Sequence, residues 1–123
     1  MERECKRVLI VDDEYFITRS IAFMLRKEGF DCMTASNGEE ALALISGHNF
    51  QLLVLDISMP KIDGFEVLDR IKGKPCQKNL HIILLSAAAR DDELERGFEL
   101  GANDFVSKPF DPKGLVAMVK QVL

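Results

Sequence analysis

A chain of 123 residues fits a single domain, and a domain of that size buries about two-thirds of the surface its unfolded form exposes. Its 16 lysines and arginines against 20 acids leave a net charge of −4, which argues against a nucleic-acid surface as its main business; nothing basic clusters beyond Lys6-Arg7. Cys5, Cys32 and Cys76 form no close-spaced pair and so support neither a disulfide framework nor a zinc knuckle, while a charged N-terminus and the absence of long apolar runs exclude a signal peptide and a membrane span, leaving a cytoplasmic domain over residues 1–123 as the expectation.

Val8 to Val11 is a short apolar run that ends at Asp12-Asp13. From Glu14 to Lys27 the residues Ile17, Ile21, Met24 and Leu25 recur at helical spacing, and Gly29 stops that helix as a C-cap. Phe30 to Ala35 reads as a weaker strand. Asn37 then caps a second helix with Glu40 at its third position, and Ala41, Leu44 and Ile45 form its buried stripe.

Leu52 to Leu55 is unbroken in its apolarity, the mark of a strand buried on both faces, and it stops at Asp56. A carboxylate where a buried strand surfaces is costly to desolvate, so it is solvated there, paired, or used to hold a cation. Met59-Pro60 turns the chain and Asp63 caps a third helix, with Glu66 completing a capping box, so Asp56 lies in a strand-to-helix loop. That helix runs from about Gly64 to Lys72 with Val67, Leu68 and Ile71 inward, and Gly73 and Pro75 close it. Ile82 to Leu85 forms a fourth strand ending at Ser86. Asp91, Asp92 and Glu93 favour a helix start through the macrodipole, Leu94 and Phe98 share a face, and Gly101 stops the helix. Asn103 to Val106 is a short fifth strand just before Lys108-Pro109; Asp111-Pro112 then starts a helix with Leu115, Val119 and Val122 as its stripe.

Five strands alternating with five helices imply an α/β fold, a parallel sheet covered on both faces with right-handed crossovers. Ligands of such sheets sit at the carboxyl ends of the strands, near the point where strand order reverses. Four strands carry a polar residue at or beyond that end: Asp12 and Asp13, Asp56, Ser86, and Lys108. Each alone is an ordinary loop residue, and the agreement among them is the signal. Three carboxylates crowded at one edge repel one another, and a divalent cation relieves the repulsion; all-oxygen ligation favours magnesium or manganese. Asp13 and Asp56 as direct ligands, with Asp12 acting through water, make a sensible arrangement. A cation, a lysine and a hydroxyl together balance three phosphoryl oxygens, which makes Asp56 the candidate nucleophile of a phosphoryl transfer.

With these residues in place, the chain resembles a response-regulator receiver domain from end to end. The resemblance runs through Asp12-Asp13, Asp56 with Met59-Pro60 and Asp63-Gly64, Ser86-Ala87, Gly101-Ala102, and Lys108-Pro109-Phe110. It implies a flavodoxin-like sheet in the order 2-1-3-4-5 and transfer of a phosphoryl group to Asp56, with magnesium bound, from a histidine kinase or histidine phosphotransfer protein. It further implies that Lys108 contacts the phosphoryl group, that Ser86 follows it inward, that Phe105 is the aromatic switch, and that the backbone carbonyl of Ser58 is a metal ligand. Lys108-Pro109 becomes a candidate cis peptide on the same grounds. The implied output is an effector contacted through the fourth helix, fifth strand and fifth helix, with homodimerisation on phosphorylation as a further expectation. The end of the chain at Leu123 on the last helix favours an N-terminal piece of a longer protein over a free-standing receiver.

Two positions depart from the commonest version of the family. Ser86 lacks the methyl of the usual threonine, which frees its rotamer, and Phe105 lacks a phenolic oxygen, so its rotation is driven by packing alone. Ser58 and Ala88, at positions tied in the family to dephosphorylation rate, carry no carboxylate or amide to orient water, so slow hydrolysis is expected. His48 and His81 read as loop or strand-flanking residues, Phe65, Phe98 and Phe110 as packing, and Arg90, Arg96, Lys113 and Lys120 as a solvated face. Two other classes compete. A phosphatase resembling the haloacid dehalogenases needs an acid two residues past its nucleophile, where this chain has Ser58. A receiver-like module that binds without phosphorylation usually lacks an acid or the lysine, and all are present here. A regulatory switch rather than a metabolic enzyme is therefore the expectation.

Overall fold

Strands and helices alternate along the chain in a computed structural model that describes residues 6–87 and 90–123. In order they are β1 (Arg7–Val11), α1 (Tyr15–Lys27), β2 (Asp31–Ala35), α2 (Gly38–Gly47), β3 (Leu52–Asp56), α3 (Gly64–Ile71), β4 (His81–Ser86), α4 (Asp91–Glu99), β5 (Asp104–Ser107) and α5 (Pro112–Val122). Every ladder is parallel and the strand order is β2-β1-β3-β4-β5, as expected. The order reverses between β1 and β3, which places the ends of those two strands side by side.

β3 lies between β1 and β4 and is buried along its whole length, which explains why its sequence shows no alternation. Leu53 and Leu55 pack with Ala41 and Ile45 of α2 and with Val67, Leu68 and Ile71 of α3. Leu52 and Val54 face the opposite layer, where Ile21, Ala22 and Leu25 of α1 meet Leu115, Val116 and Val119 of α5. Each fully buried leucine contributes about 2 kcal/mol, as an upper estimate.

Helix ends follow local rules more closely than the sequence pattern alone suggests. Gly29 takes φ +95, its N–H donates to the Arg26 carbonyl, and the Phe30 N–H donates to the Leu25 carbonyl. This is a Schellman motif, and it claims Phe30 for the end of α1, so β2 begins at Asp31 rather than at Phe30. Gly101 and Ala102 repeat the motif after α4, donating to Phe98 and Gly97. At α3 the Asp63 carboxylate accepts from the Glu66 N–H at 2.9 Å, but the Glu66 side chain turns to Arg70, so the expected capping box forms only in its outward half. A 3-10 turn, Pro75–Gln77, which the sequence pattern does not announce, ties the end of α3 to the start of β4, at the end of the sheet away from Asp56.

α4 departs most from expectation. Gly97 is its buried residue, Leu94 is half-buried, and Phe98, expected to pack, is 50% exposed with its ring edge-on to Phe105 at 5.6 Å between centroids. Phe65 is buried and Phe110 half-buried against the core, as expected of packing residues. Cys32 and Cys76 are free, and burial pushes the Cys32 thiol up to about 11, which keeps it unreactive; Cys5 lies outside the described residues. Among the described residues, no helix is long and apolar enough to cross a membrane.

Gly64 governs how closely α3 approaches the end of β3. A Cβ there would lie 2.6 Å from the Asp56 carbonyl oxygen and 2.9 Å from Ile57 Cα, both backbone atoms with nowhere to go. Gly64→Ala is expected to cost about 2 kcal/mol in urea unfolding. An unchanged midpoint would show that the loop yields.

Candidate functional site

The rim formed by the ends of β1, β3, β4 and β5 gathers the side chains from four parts of the chain. Asp12, fully buried, follows β1; its Oδ1 accepts from the Glu14 N–H at 2.9 Å, an Asx-type turn that orients the carboxylate. Asp56 closes β3 and is 2% exposed, and its Oδ1 faces the Ser58 N–H at 3.3 Å. Asp13 is exposed at the mouth, and one oxygen each from Asp12, Asp13 and Asp56 fall within 4.8 Å of one another. Lys108, beyond β5, reaches across: its Nζ stands 2.8 Å from Asp12 Oδ2, 3.3 Å from Asp56 Oδ2 and 3.6 Å from Glu14 Oε1. The Lys108 N–H donates to the Ser86 carbonyl at 2.7 Å, and the Lys108-Pro109 peptide, a candidate for cis in the sequence, is cis.

The electrostatics follow from depth. Burial pushes the Asp56 carboxyl up to about 6, with the Asp12 charge adding to the effect and Lys108 and the Ser58 N–H opposing it. Burial alone would lower the Lys108 ammonium, but the Asp12 contact and the charges of Asp56 and Asp12 outweigh it and hold it above the ordinary lysine range. Asp12 Oδ2 touches the ammonium without a directed hydrogen bond, a buried acceptor with capacity to spare. One lysine cannot neutralise three carboxylates. An all-oxygen donor set with an under-coordinated buried oxygen fits magnesium or manganese, so the residues present suit the cation inferred from their chemistry.

The remaining sequence candidates are placed less directly. Ser86 is buried at the end of β4, and its Oγ donates to Glu93 Oε1 at 3.3 Å. The Ser58 side chain is exposed, and Ala88 lies outside the described residues. Phe105 on β5 is half-buried, its ring against Gly97, where an added Cβ would meet ring carbons at 2.7 and 2.9 Å. Several contacts have no clear counterpart in the sequence pattern, among them Lys120 with Glu28 at 2.9 Å and Arg96 over the Phe65 ring at 4.6 Å, both on a face expected to be solvated. Glu14 flanks Lys108, and its place directly after Asp12-Asp13 was the available signal. The sequence marks Glu93 only as a helix-dipole residue, whereas it accepts from Ser86 Oγ. His81 Nε2 meets Asp104 Oδ2 at 2.7 Å, a pair across neighbouring strands that spacing along the chain does not reveal.

A 2-1-3-4-5 parallel sheet with acids and a lysine converging on one rim is the architecture of a receiver domain. The chain belongs to the response regulator receiver domain family, whose model matches residues 8–120. It is 40% identical over 120 residues to the alkaline phosphatase synthesis transcriptional regulatory protein PhoP of Bacillus subtilis, covering 96% of this chain and 48% of that protein. The chain spans about half the length of the curated relatives it matches. Among solved structures, the chemotaxis protein CheY4 of Vibrio cholerae superposes with a TM-score of 0.91 at 29% identity, covering 98% of this chain and 100% of that one. The response regulator TrrA of Thermotoga maritima, solved in complex with Mg(2+)-BeF, gives a TM-score of 0.82 at 39% identity, covering 96% and 99%. The chain is thus a receiver domain of the two-component type, in a family whose acidic pocket binds magnesium.

Proposed function

We propose that Asp56 accepts a phosphoryl group from a histidine kinase or histidine phosphotransfer protein, and that the aspartyl phosphate shifts the domain between two conformations read by an output partner. The observation that carries this reading is Asp56 itself, 2% exposed at the end of a wholly buried strand, 3.3 Å from Lys108 and inside a three-carboxylate cluster. An Asp56 oxygen attacks phosphorus as the P–N bond to the donor imidazole breaks, and the bonding electron pair returns to the ring nitrogen. Asp13, Asp56 and the Ser58 carbonyl would hold magnesium, with Asp12 acting through water. Bound there, the ion offsets charge on the transferring oxygens. Lys108 turns from Asp12 and Asp56 to the phosphoryl group, the Ser86 hydroxyl follows, and Phe105 rotates inward by packing.

Residues 1–123 act in this reading as one receiver domain and as the N-terminal part of a longer regulator. Similarity to a transcriptional regulatory protein supports an output in transcription, reached through the α4, β5 and α5 face or a homodimer formed there, and not through nucleic-acid contact by this acidic domain. The cytoplasm is the compartment this reading requires.

Incubation with acetyl phosphate and Mg2+ should add one phosphoryl group to the wild type by intact mass and none to Asp56→Ala. A module that works without phosphorylation would stay unmodified throughout. Because Ser58 offers no carboxylate or amide to orient water, the modified form should outlast seconds in purified protein. Loss within seconds would refute slow self-hydrolysis.

A further inference from the structure

The geometry points to Glu93 as a positioning residue that holds the Ser86 hydroxyl away from the acceptor site until phosphorylation draws it off. This rests on the phosphoacceptor reading above and assigns that site a second carboxylate role. Ser86 is 3% exposed at the end of β4, and its Oγ donates to Glu93 Oε1 at 3.3 Å. A serine hydroxyl has one proton to donate. While Glu93 accepts it, no phosphoryl oxygen on Asp56 can. At 3.3 Å the bond is long for an O–H donor, so a more highly charged phosphoryl oxygen competes for it effectively.

Glu93 sits where release has somewhere to go. It is the third residue of α4, a helix in which Gly97 is buried and Leu94 half-buried, and Arg90 before it supplies no side-chain cap. The Ser86–Glu93 bond therefore joins the end of β4 to the first turn of a helix that, among the described residues, buries little of its own surface. Moving the hydroxyl toward Asp56 breaks that tie in the same step, so capture of the phosphoryl group and loosening of the α4 start become one event. Glu93 touches neither Asp56 nor Lys108 by ion pair or hydrogen bond; it acts through Ser86.

The test is an amide NMR titration with beryllium fluoride and Mg2+ on wild type, Glu93→Ala, Glu93→Gln, Ser86→Ala and the Ser86→Ala/Glu93→Ala double variant. Glu93→Ala is expected to bind the complex about threefold to tenfold more tightly than wild type, the range one hydrogen bond is worth. Glu93→Gln, which keeps an acceptor oxygen, falls between the two. In the Ser86→Ala background the Glu93→Ala gain should shrink to the small part owed to removing a negative charge. Without any phosphoryl mimic, Glu93→Ala should move the Ser86 and α4 first-turn signals toward their beryllofluoride positions in wild type. An equal gain with and without the Ser86 hydroxyl, or no gain at all, overturns the role of Glu93 while leaving the acceptor intact. A wild type that ignores beryllium fluoride overturns the acceptor reading itself.

Discussion

Asp56→Asn is expected to abolish phosphoryl uptake while making the metal-free protein more stable at pH 7, by about 2 kcal/mol. The loss of uptake is complete, at least a hundredfold in initial rate, because an amide oxygen is not a competent nucleophile for phosphorus. The gain follows from linkage. The Asp56 carboxyl lies at about 6 in the folded state against an ordinary 3.8, so the folded protein binds that proton more tightly than the unfolded chain. Its contribution to stability is fully present below pH 4 and is lost as pH rises through 6, leaving a charged carboxylate in a dry site at pH 7. Two pH units correspond to about 3 kcal/mol, and loss of the contact with Lys108 takes back part of it. Urea unfolding of both proteins between pH 4 and 8 should show the advantage of asparagine fading toward pH 4. A constant offset across that range would mean that burial of the charge is not its source.

Lys108→Ala should have the opposite sign and a similar size. Its side chain, 14% exposed, carries the cation standing between Asp12 and Asp56. Removing it leaves two buried carboxylates facing each other, which costs about 3 kcal/mol at pH 7 without divalent ions. Because the three carboxylates suit a divalent cation, Mg2+ should restore much of that loss, raising the unfolding midpoint of the variant by more than it raises that of wild type. Acidification should restore part of it too, through protonation of Asp56. Equal stabilisation of both proteins by Mg2+ would separate the lysine from the metal site. Transfer from acetyl phosphate should slow as well, since no mobile positive charge then meets the phosphoryl oxygens.

The elements most readily seen in the sequence are those set by short-range chemistry. β3 was legible because a strand with apolar layers on both sides shows four apolar residues in a row, and the acid after it had to lie where the strand surfaces. Gly29 and Gly101 were legible as stops because a left-handed residue must be placed there, although the sequence did not show that Phe30 belongs to the stop as well. Topology alone brings Asp12, Asp13, Asp56 and Lys108 together, since parallel strands deliver all their carboxyl ends to one rim. Contacts that depend on how far a side chain reaches between elements were not legible. Ser86 to Glu93 spans a loop, and His81 to Asp104 joins neighbouring strand starts. The weak burial of α4 is hidden in the sequence for another reason: its apolar residues have helical spacing, and periodicity names a face without saying whether anything covers it.

The sheet is graded from its middle to one margin. β1 and β3, which bring the acids, are each flanked by a strand on both sides, whereas β5, four residues long, is hydrogen-bonded to β4 alone. Anvil and hammer are thereby mounted on different supports: the carboxylates stay fixed on the best-braced strands, while the lysine and aromatic ring ride on the selvage. Amide deuteration should accordingly run slowest through Leu9–Val11 and Leu53–Leu55 and fastest through Phe105–Ser107, so that a signal arriving at the centre is spent in deforming only the periphery.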